Sequence, residues 1–341
     1  MRTGIANLPL HYGKAPRWLF NRMTKLSGEI AETIIDEYGQ EEFLKRLSDP
    51  FWFQAFGCVL GFDWHSSGLT TTVLGALKVS LNEKNIGLQV AGGKGATSRK
   101  TPSEIESTKF NLSTKKIEKL IRASKLSAKV DNSLVQDGFQ LYQHNFIFTE
   151  KGKWAVIQQG MSNSWARRYH WISESVKTFV EEPHDAIVSE MRKEKVLNLT
   201  AKESRETRQA TLDLVGSRNI LTLPRRHEIL KKDLSKRAMK VINLIYETNP
   251  KSYEDLISIK GVGAKTIRAL TLISDLIYGT KASWKDPVKY SFAHGGKDGI
   301  PYPVDREVYD KNIRILKNAI ENAKIGRKEK LFAIKKLSNF V

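Results

Sequence analysis

The chain has 341 residues, 40% of them hydrophobic, and 56 Lys+Arg against 37 Asp+Glu leave a formal charge of +19. That length can bury a substantial core and suggests two domains, while the spread positive excess favours an extended polyanion, bound in a salt-sensitive way, over a membrane. One cysteine, Cys58, excludes an internal disulfide and a thiolate metal cluster; no run reaches membrane-span length and no secretory pattern opens the chain, so a cytoplasmic protein is expected.

In chain order, residues 17–60 read as mostly helical, because Trp18, Leu19, Met23, Leu26, Ile30 and Ile34 recur at helical spacing, with Asp49-Pro50 breaking the pattern. Cys58 falls in the apolar run Phe51–Leu60 and reads as a small core residue. From about 61 to 178 the texture changes to short β-like runs separated by glycines. Thr70–Val73, Ile86–Val90, Phe139–Phe148 and Trp154–Gln159 are predicted strands, and Glu150-Lys151-Gly152-Lys153 is a hairpin turn between the last two. A helix around Ser113–Lys125 interrupts them. After Glu181-Glu182-Pro183 the chain reads almost entirely as helix: Ala186–Val196, Ala201–Val215, His227–Thr248, a pair within 254–278, and Arg306–Lys324. The expected fold class is α+β. A mixed α/β domain with antiparallel strands (1–180) is followed by an all-helical domain (181–341).

The helix pair carries the most specific motif. Leu256, Ile257 and Ile259 close a short helix, Gly261-Val262-Gly263 forms a tight turn, and Ala264–Tyr278 is a second helix. Its apolar face is read as Ile267, Leu270, Leu272, Ile273, Leu276 and Ile277. Such a turn leaves backbone N–H groups free to face an anion, beside Lys260, Lys265 and Arg268. The segment resembles the helix-hairpin-helix of DNA polymerases, ligases, structure-specific nucleases and base-excision glycosylases. The resemblance implies a sequence-independent phosphate clamp built from Lys260, Gly261, Gly263, Lys265, Thr266 and Arg268. A plain αα-hairpin, its glycines relieving crowding, is the alternative.

Other segments resemble, together, an archaeal and bacterial family catalogued only as a domain of unknown function. They are Leu8–Gly13, Val90–Pro102, Gln136–Tyr142, Ala166–Trp171 and Phe292–Arg306. That resemblance implies a prokaryotic protein and transfers no activity.

Chemistry is therefore read from the residues. Asp131, Asp137, Gln140, His144, Glu150, Lys153, Gln158 and Gln159 crowd the predicted strands. Asp137 and Glu150 could hold Mg²⁺ or Mn²⁺ with Lys153 stabilising developing charge, as phosphodiester hydrolysis requires. The order loosely resembles a nuclease Asp…Glu-x-Lys pattern, although Lys153 stands three residues after Glu150, at a turn. In Val90–Pro102, Lys94, Arg99 and Lys100 follow glycines and could meet phosphate. Trp165–Trp171 interleaves aromatics with Arg167, Arg168 and His170, which suits base stacking with backbone contacts, or a partly buried core. His65 and His184 read as structural. In glycosylases with this hairpin the motif lysine can form a Schiff base, assisted by a downstream aspartate. The resemblance puts Lys265 and Asp305 in those roles, although their separation is longer than expected and Arg306-Glu307 follows the acid.

The resulting expectation is a DNA-binding, DNA-processing protein acting on duplex, branched or single-stranded DNA. A metal-dependent nuclease of repair or recombination is the first reading. A glycosylase/lyase and a non-catalytic DNA-binding protein are the alternatives.

Overall fold

The computed structural model describes residues 15–61, 67–163, 165–189, 192–216, 236–288, 306–323 and 326–340. Four helices come first: α1 (Arg17–Tyr38), α2 (Gln40–Ser48), α3 (Pro50–Leu60) and α4 (Ser67–Glu83). Asp49-Pro50 breaks one helix and starts another. The Asp49 carboxylate accepts the N–H groups of Phe51 (2.8 Å) and Trp52 (3.0 Å), and Pro50 occupies the first helical position. Cys58 is buried in α3, as the sequence suggested.

The expected strand at Thr70–Val73 is instead the first half of α4. Leu69, Val73, Leu74, Ala76, Leu77 and Leu81 are buried at helical spacing. Packing of that stripe overrides the β preference of three threonines and a valine, which differs from helix preference by only tenths of a kcal/mol per residue.

Strand β1 (Leu88–Lys94) leads through a tight helical turn to α5 (Thr101–Glu106) and the long α6 (Thr114–Ser133). Next come β2 (Val135–Gln136), β3 (Gln140–Thr149), β4 (Trp154–Ser162), β5 (Trp165–Ile172) and β6 (Ala186–Val188). The order β1-β3-β4-β5-β6 makes one antiparallel sheet, with the β3–β4 turn at 150–153 as expected. The expected helix Ala186–Val196 is not formed. Its first residues pair with β5, and Val196 donates its N–H to the Trp284 carbonyl at 2.9 Å. The described residues between 182 and 196 are thus not helical, and β7 (Leu197–Asn198), which pairs with β2, follows them. Then follow α7 (Arg205–Gly216), α8 (Lys236–Thr248), α9 (Tyr253–Ser258), α10 (Ala264–Tyr278), α11 (Arg306–Asn322) and α12 (Arg327–Phe340).

Both faces of the sheet are covered, so its central strands are buried almost end to end. One face presents Ile147, Ala155, Ile157 and Ile172 to α1–α4, with Leu316 and Ala333 from α11 and α12 in the same apolar cluster. The other presents Phe146, Phe148, Val156, Tyr169 and Trp171 to a cluster containing residues of α6, α7, α9 and α10. The first cluster joins segments from both ends of the chain, and the second runs from Ala91 to Val288. Among the described residues, no helix is long and apolar enough to cross a membrane.

Candidate nucleic-acid interface

Two helices joined by a tight turn, α9 and α10, stand where the sequence predicts a helix pair. Ser252 caps α9 by accepting the Asp255 N–H at 3.1 Å, and Tyr253, Leu256 and Ile257 bury its inner face. Ile259 and Val262 anchor the turn in the core, and the Val262 N–H bonds the Ile259 carbonyl at 3.2 Å. The two glycines differ in role. Gly261 has φ +94°, and a Cβ there would lie 2.8 Å from the Val241 side chain of α8. Gly263 has ordinary extended backbone (φ −143°), and a Cβ would meet nothing within 4 Å.

Gly263 is the N-cap of α10 and brings no side chain to its first N–H groups. The positive end of a 15-residue helix therefore opens where the turn leaves space. Lys260, Gly261 and Lys265 are exposed around that opening, and Thr266 is half-buried. Arg268 is also exposed, but its Nε donates to Gln136 Oε1 at 2.7 Å. Gln136 Nε2 in turn donates to the Ala264 carbonyl at 2.9 Å, so β2 fixes the first turn of α10. A shallow cleft of about 470 Å³ adjoins the hairpin, lined by Lys251, Asp255, Ser258 and Lys260 among others. The broad apolar face expected for α10 is narrower. Ile267 and Leu270 are buried, whereas Leu272, Leu276 and Ile277 are exposed. Lys265 lies in the open on the first turn of α10, and Asp305, its suggested partner, falls outside the described residues.

The polar strand cluster is not assembled into a metal site. Asp137 lies just before the first residue of β3 and Glu150 just after its last. A ten-residue strand separates the two by roughly 33 Å. Asp137 is buried, and its Oδ2 accepts Arg167 at 3.0 Å and the Tyr169 hydroxyl at 2.7 Å, while Oδ1 accepts the Phe139 N–H at 2.9 Å. Arg167 also makes a two-pronged bond to Asp286, at 2.9 and 2.8 Å. Burial pushes the Asp137 carboxyl up, opposed by Arg167 and Tyr169. Glu150 is exposed and accepts Gln40 at 3.3 Å; Lys153 closes the turn beside it. Asp137, Glu150 and Lys153 therefore share no site, and the donors needed for Mg²⁺ or Mn²⁺ do not meet there. Among the described residues no group of three or more His, Cys, Asp or Glu is arranged to hold a metal.

The aromatic–basic segment is β5 itself, and its cations point inward. Arg167, Arg168 and His170 have no exposed surface, so the expected nucleic-acid contacts of these three are not available. Alternation sends Arg167, Tyr169 and Trp171 to one face and Arg168 and His170 to the other. Arg168 donates to His170 Nε2 at 2.8 Å and Thr70 Oγ1 at 3.1 Å, and stacks over Phe53 at 4.7 Å. Burial lowers Arg168 to about 9, which leaves it protonated at neutral pH, and holds His170 well below its usual range. On the opposite face Asp131 accepts His184, Gln158 and Trp171 Nε1, and Gln158 Oε1 meets His144 Nδ1 at 2.7 Å. His144, also lowered by burial, reaches Ser124 at 2.9 Å. His184 is buried against Asp131.

Lys94, Arg99 and Lys100 are exposed around the turn after β1. Two nearby hydroxyls bond backbone carbonyls: Ser98 the Gly95 carbonyl at 2.6 Å and Thr101 the Ser98 carbonyl at 2.7 Å. This turn offers exposed charge. Gly92 is needed for another reason, since a Cβ there would lie 2.2 Å from the His144 carbonyl oxygen of the neighbouring strand.

The sequence model of the family described as Protein of unknown function (DUF763) matches residues 4–304. The chain belongs to this family. No curated protein and no solved structure matches it. The DUF763 match covers the whole sheet and the α9–α10 pair, so the candidate site lies within the family's shared region.

Proposed function

We propose that the chain binds DNA through its sugar-phosphate backbone, with the α9–α10 hairpin as the clamp. The observation that carries this reading is the uncapped N-terminus of α10 behind Gly261-Val262-Gly263, flanked by exposed Lys260 and Lys265. Backbone N–H groups and a helix dipole give a site for one phosphate, and neither reads base sequence. The net charge of +19 supplies long-range attraction to the same polyanion. Asp137, Glu150 and Lys153 lend no support to metal-dependent cleavage, so DNA binding is proposed without it. Fluorescence anisotropy with a labelled duplex across a salt series tests the reading. Affinity is expected to fall linearly on a log–log plot, with about 0.9 of slope for each phosphate contacted. Binding that is absent at low salt, or insensitive to salt, would end it.

A further inference from the structure

The hairpin has a basic neighbour. α6 carries Lys115, Lys116, Lys119, Arg122, Lys125 and Lys129, and only Glu118 opposes them on its exposed surface, because Asp131 is buried. At the helical advance per residue, Lys115, Lys119, Arg122, Lys125 and Lys129 fall within a sector of about 120°. Lys129 is half-buried; the other four are exposed.

Contacts at each end show where this stripe leads. Near the C-terminal end, Gln136 Nε2 bridges the Ser133 carbonyl (3.1 Å) and the Ala264 carbonyl of α10. Arg122 reaches Glu254 at 3.0 Å and Asp255 at 3.8 Å, covering two acids at the start of α9 that would otherwise interrupt the positive surface. At the other end the Lys116 side chain passes the β3–β4 turn, where a Cβ on Gly152 would lie 3.9 Å from its Cδ. Lys151 is exposed at that turn and Lys153 is half-buried.

The opposite layer is mixed in charge, with basic residues on α11 and α12 and one acidic patch on α1 and α2. Glu29, Glu32, Asp36, Glu37, Glu41 and Glu42 occupy α1 and α2, and no Lys or Arg lies between residues 26 and 44.

We propose that α6 is a second phosphate-binding track, continuous with the hairpin, along which a DNA duplex lies. The proposal rests on the hairpin reading and extends it. Its 20 residues span about 30 Å, the length of about nine base pairs of duplex. The track ends at the β3–β4 turn, which gives Lys151 and Lys153 a role as distant backbone contacts.

The test compares two triple charge reversals in the full chain. One is K115E/K119E/K125E on the track. The other is K45E/R327E/K328E on the opposite layer, which changes net charge equally. Circular dichroism verifies that both fold, and affinity for a 24-base-pair duplex is measured across a salt series. The track variant is expected to lose at least tenfold in affinity and to lower the salt slope by about 2 to 3. The opposite-layer variant is expected to change less than threefold. Equal weakening by both triples, or an unweakened track variant, would overturn the track while leaving hairpin binding intact. Wild-type protein that binds no duplex would overturn the hairpin reading and the track together.

Discussion

Replacing Gly263 by Asp should strengthen the fold and weaken DNA binding at once. The backbone at Gly263 is extended, and its Cβ position is open for 4 Å, so the new side chain meets no obstacle. At the N-cap of α10 its carboxylate would accept the N–H of Lys265 or Thr266. Asp is a better cap than Gly by a few tenths of a kcal/mol, and a negative charge at a helix N-terminus adds about 0.3 to 1 kcal/mol. Loss of glycine entropy from the unfolded chain contributes about 0.4 to 1 kcal/mol more. Together these stabilise by about 1 to 2 kcal/mol, readable as a higher denaturation midpoint. The same carboxylate would occupy the donors offered to a phosphate and repel it. Duplex affinity should fall at least tenfold, and the salt slope should drop by about 0.9 or more. Gly261→Ala is the contrast: with φ +94° and Val241 at 2.8 Å, it should lower stability, because the turn must reopen. If Gly263→Asp bound DNA like wild type, the phosphate would not sit at α10. If it lost stability instead, Gly263 would be a packing residue and the argument would fail.

Three other outcomes follow from the interior. His144 and His170 are buried with folded pKa values below the ordinary 6.5, so the unfolded chain takes up their protons first. Stability should therefore hold above about pH 6.5 and fall below it, by up to about 1.4 kcal/mol per pH unit for each histidine; equal urea midpoints at pH 7 and pH 5 would contradict this. Gly57→Ala in α3 would press a methyl to 2.7 Å from the buried Leu69 side chain, and overpacking should outweigh the helix-propensity gain, for a net loss of about 1 to 2 kcal/mol; an unchanged midpoint would show that Leu69 yields. Asp137→Ala removes a partner of buried Arg167 and should cost about 3 kcal/mol, whereas Glu150→Ala, at an exposed turn, should cost less than about 0.5 kcal/mol. Comparable effects of the two in denaturant titrations would refute the distinction drawn between them.

The hairpin was legible because its signals are local. The glycine pair and the apolar positions Leu256, Ile257 and Ile267 specify turn and packing within a short window, whereas the Ser252 cap emerged only in the structure. The sheet was legible at β3 and β4, where a turn of charged residues and glycine separates two apolar runs. Elsewhere tertiary context decided. Thr70–Val73 is helical because α4 packs on α1 and the sheet, and Ala186–Val188 is a strand because β5 offers an open edge. The polar residues of the strands misled for a related reason. Sequence places Asp137, Glu150, Arg167 and Arg168 close together, but strand direction sets the two acids at opposite ends of β3, and alternation sets the two arginines on opposite faces. The α6 lysines had a sequence signal, their repeat at helical spacing, yet their link to the hairpin depends on Gln136 and Arg122 and exists only in three dimensions.

Burial sorts the cations of this chain by task. A guanidinium held in the interior must have its charge and hydrogen bonds met there, since an unmatched buried ion costs several kcal/mol. Arg167 is met by Asp137 and Asp286, and Arg208 by Glu181 and two carbonyls. Such groups hold segments distant in sequence together, and a ligand could reach them only by breaking the fold. Lys260, Lys265 and the exposed lysines of α6 are in the opposite position, solvated and costing little to redirect toward a phosphate. The hairpin they surround is nonetheless held firmly, by Ile259, Val262 and Ile267 in the core and by Gln136 from β2. A rigid turn with exposed cations around it would suit a partner whose charge is regular and whose sequence varies, because fixed N–H groups would set one phosphate and the lysines would adjust to the rest. The strands of this fold therefore supply cohesion, and the surface of its helices is where a nucleic acid would be met.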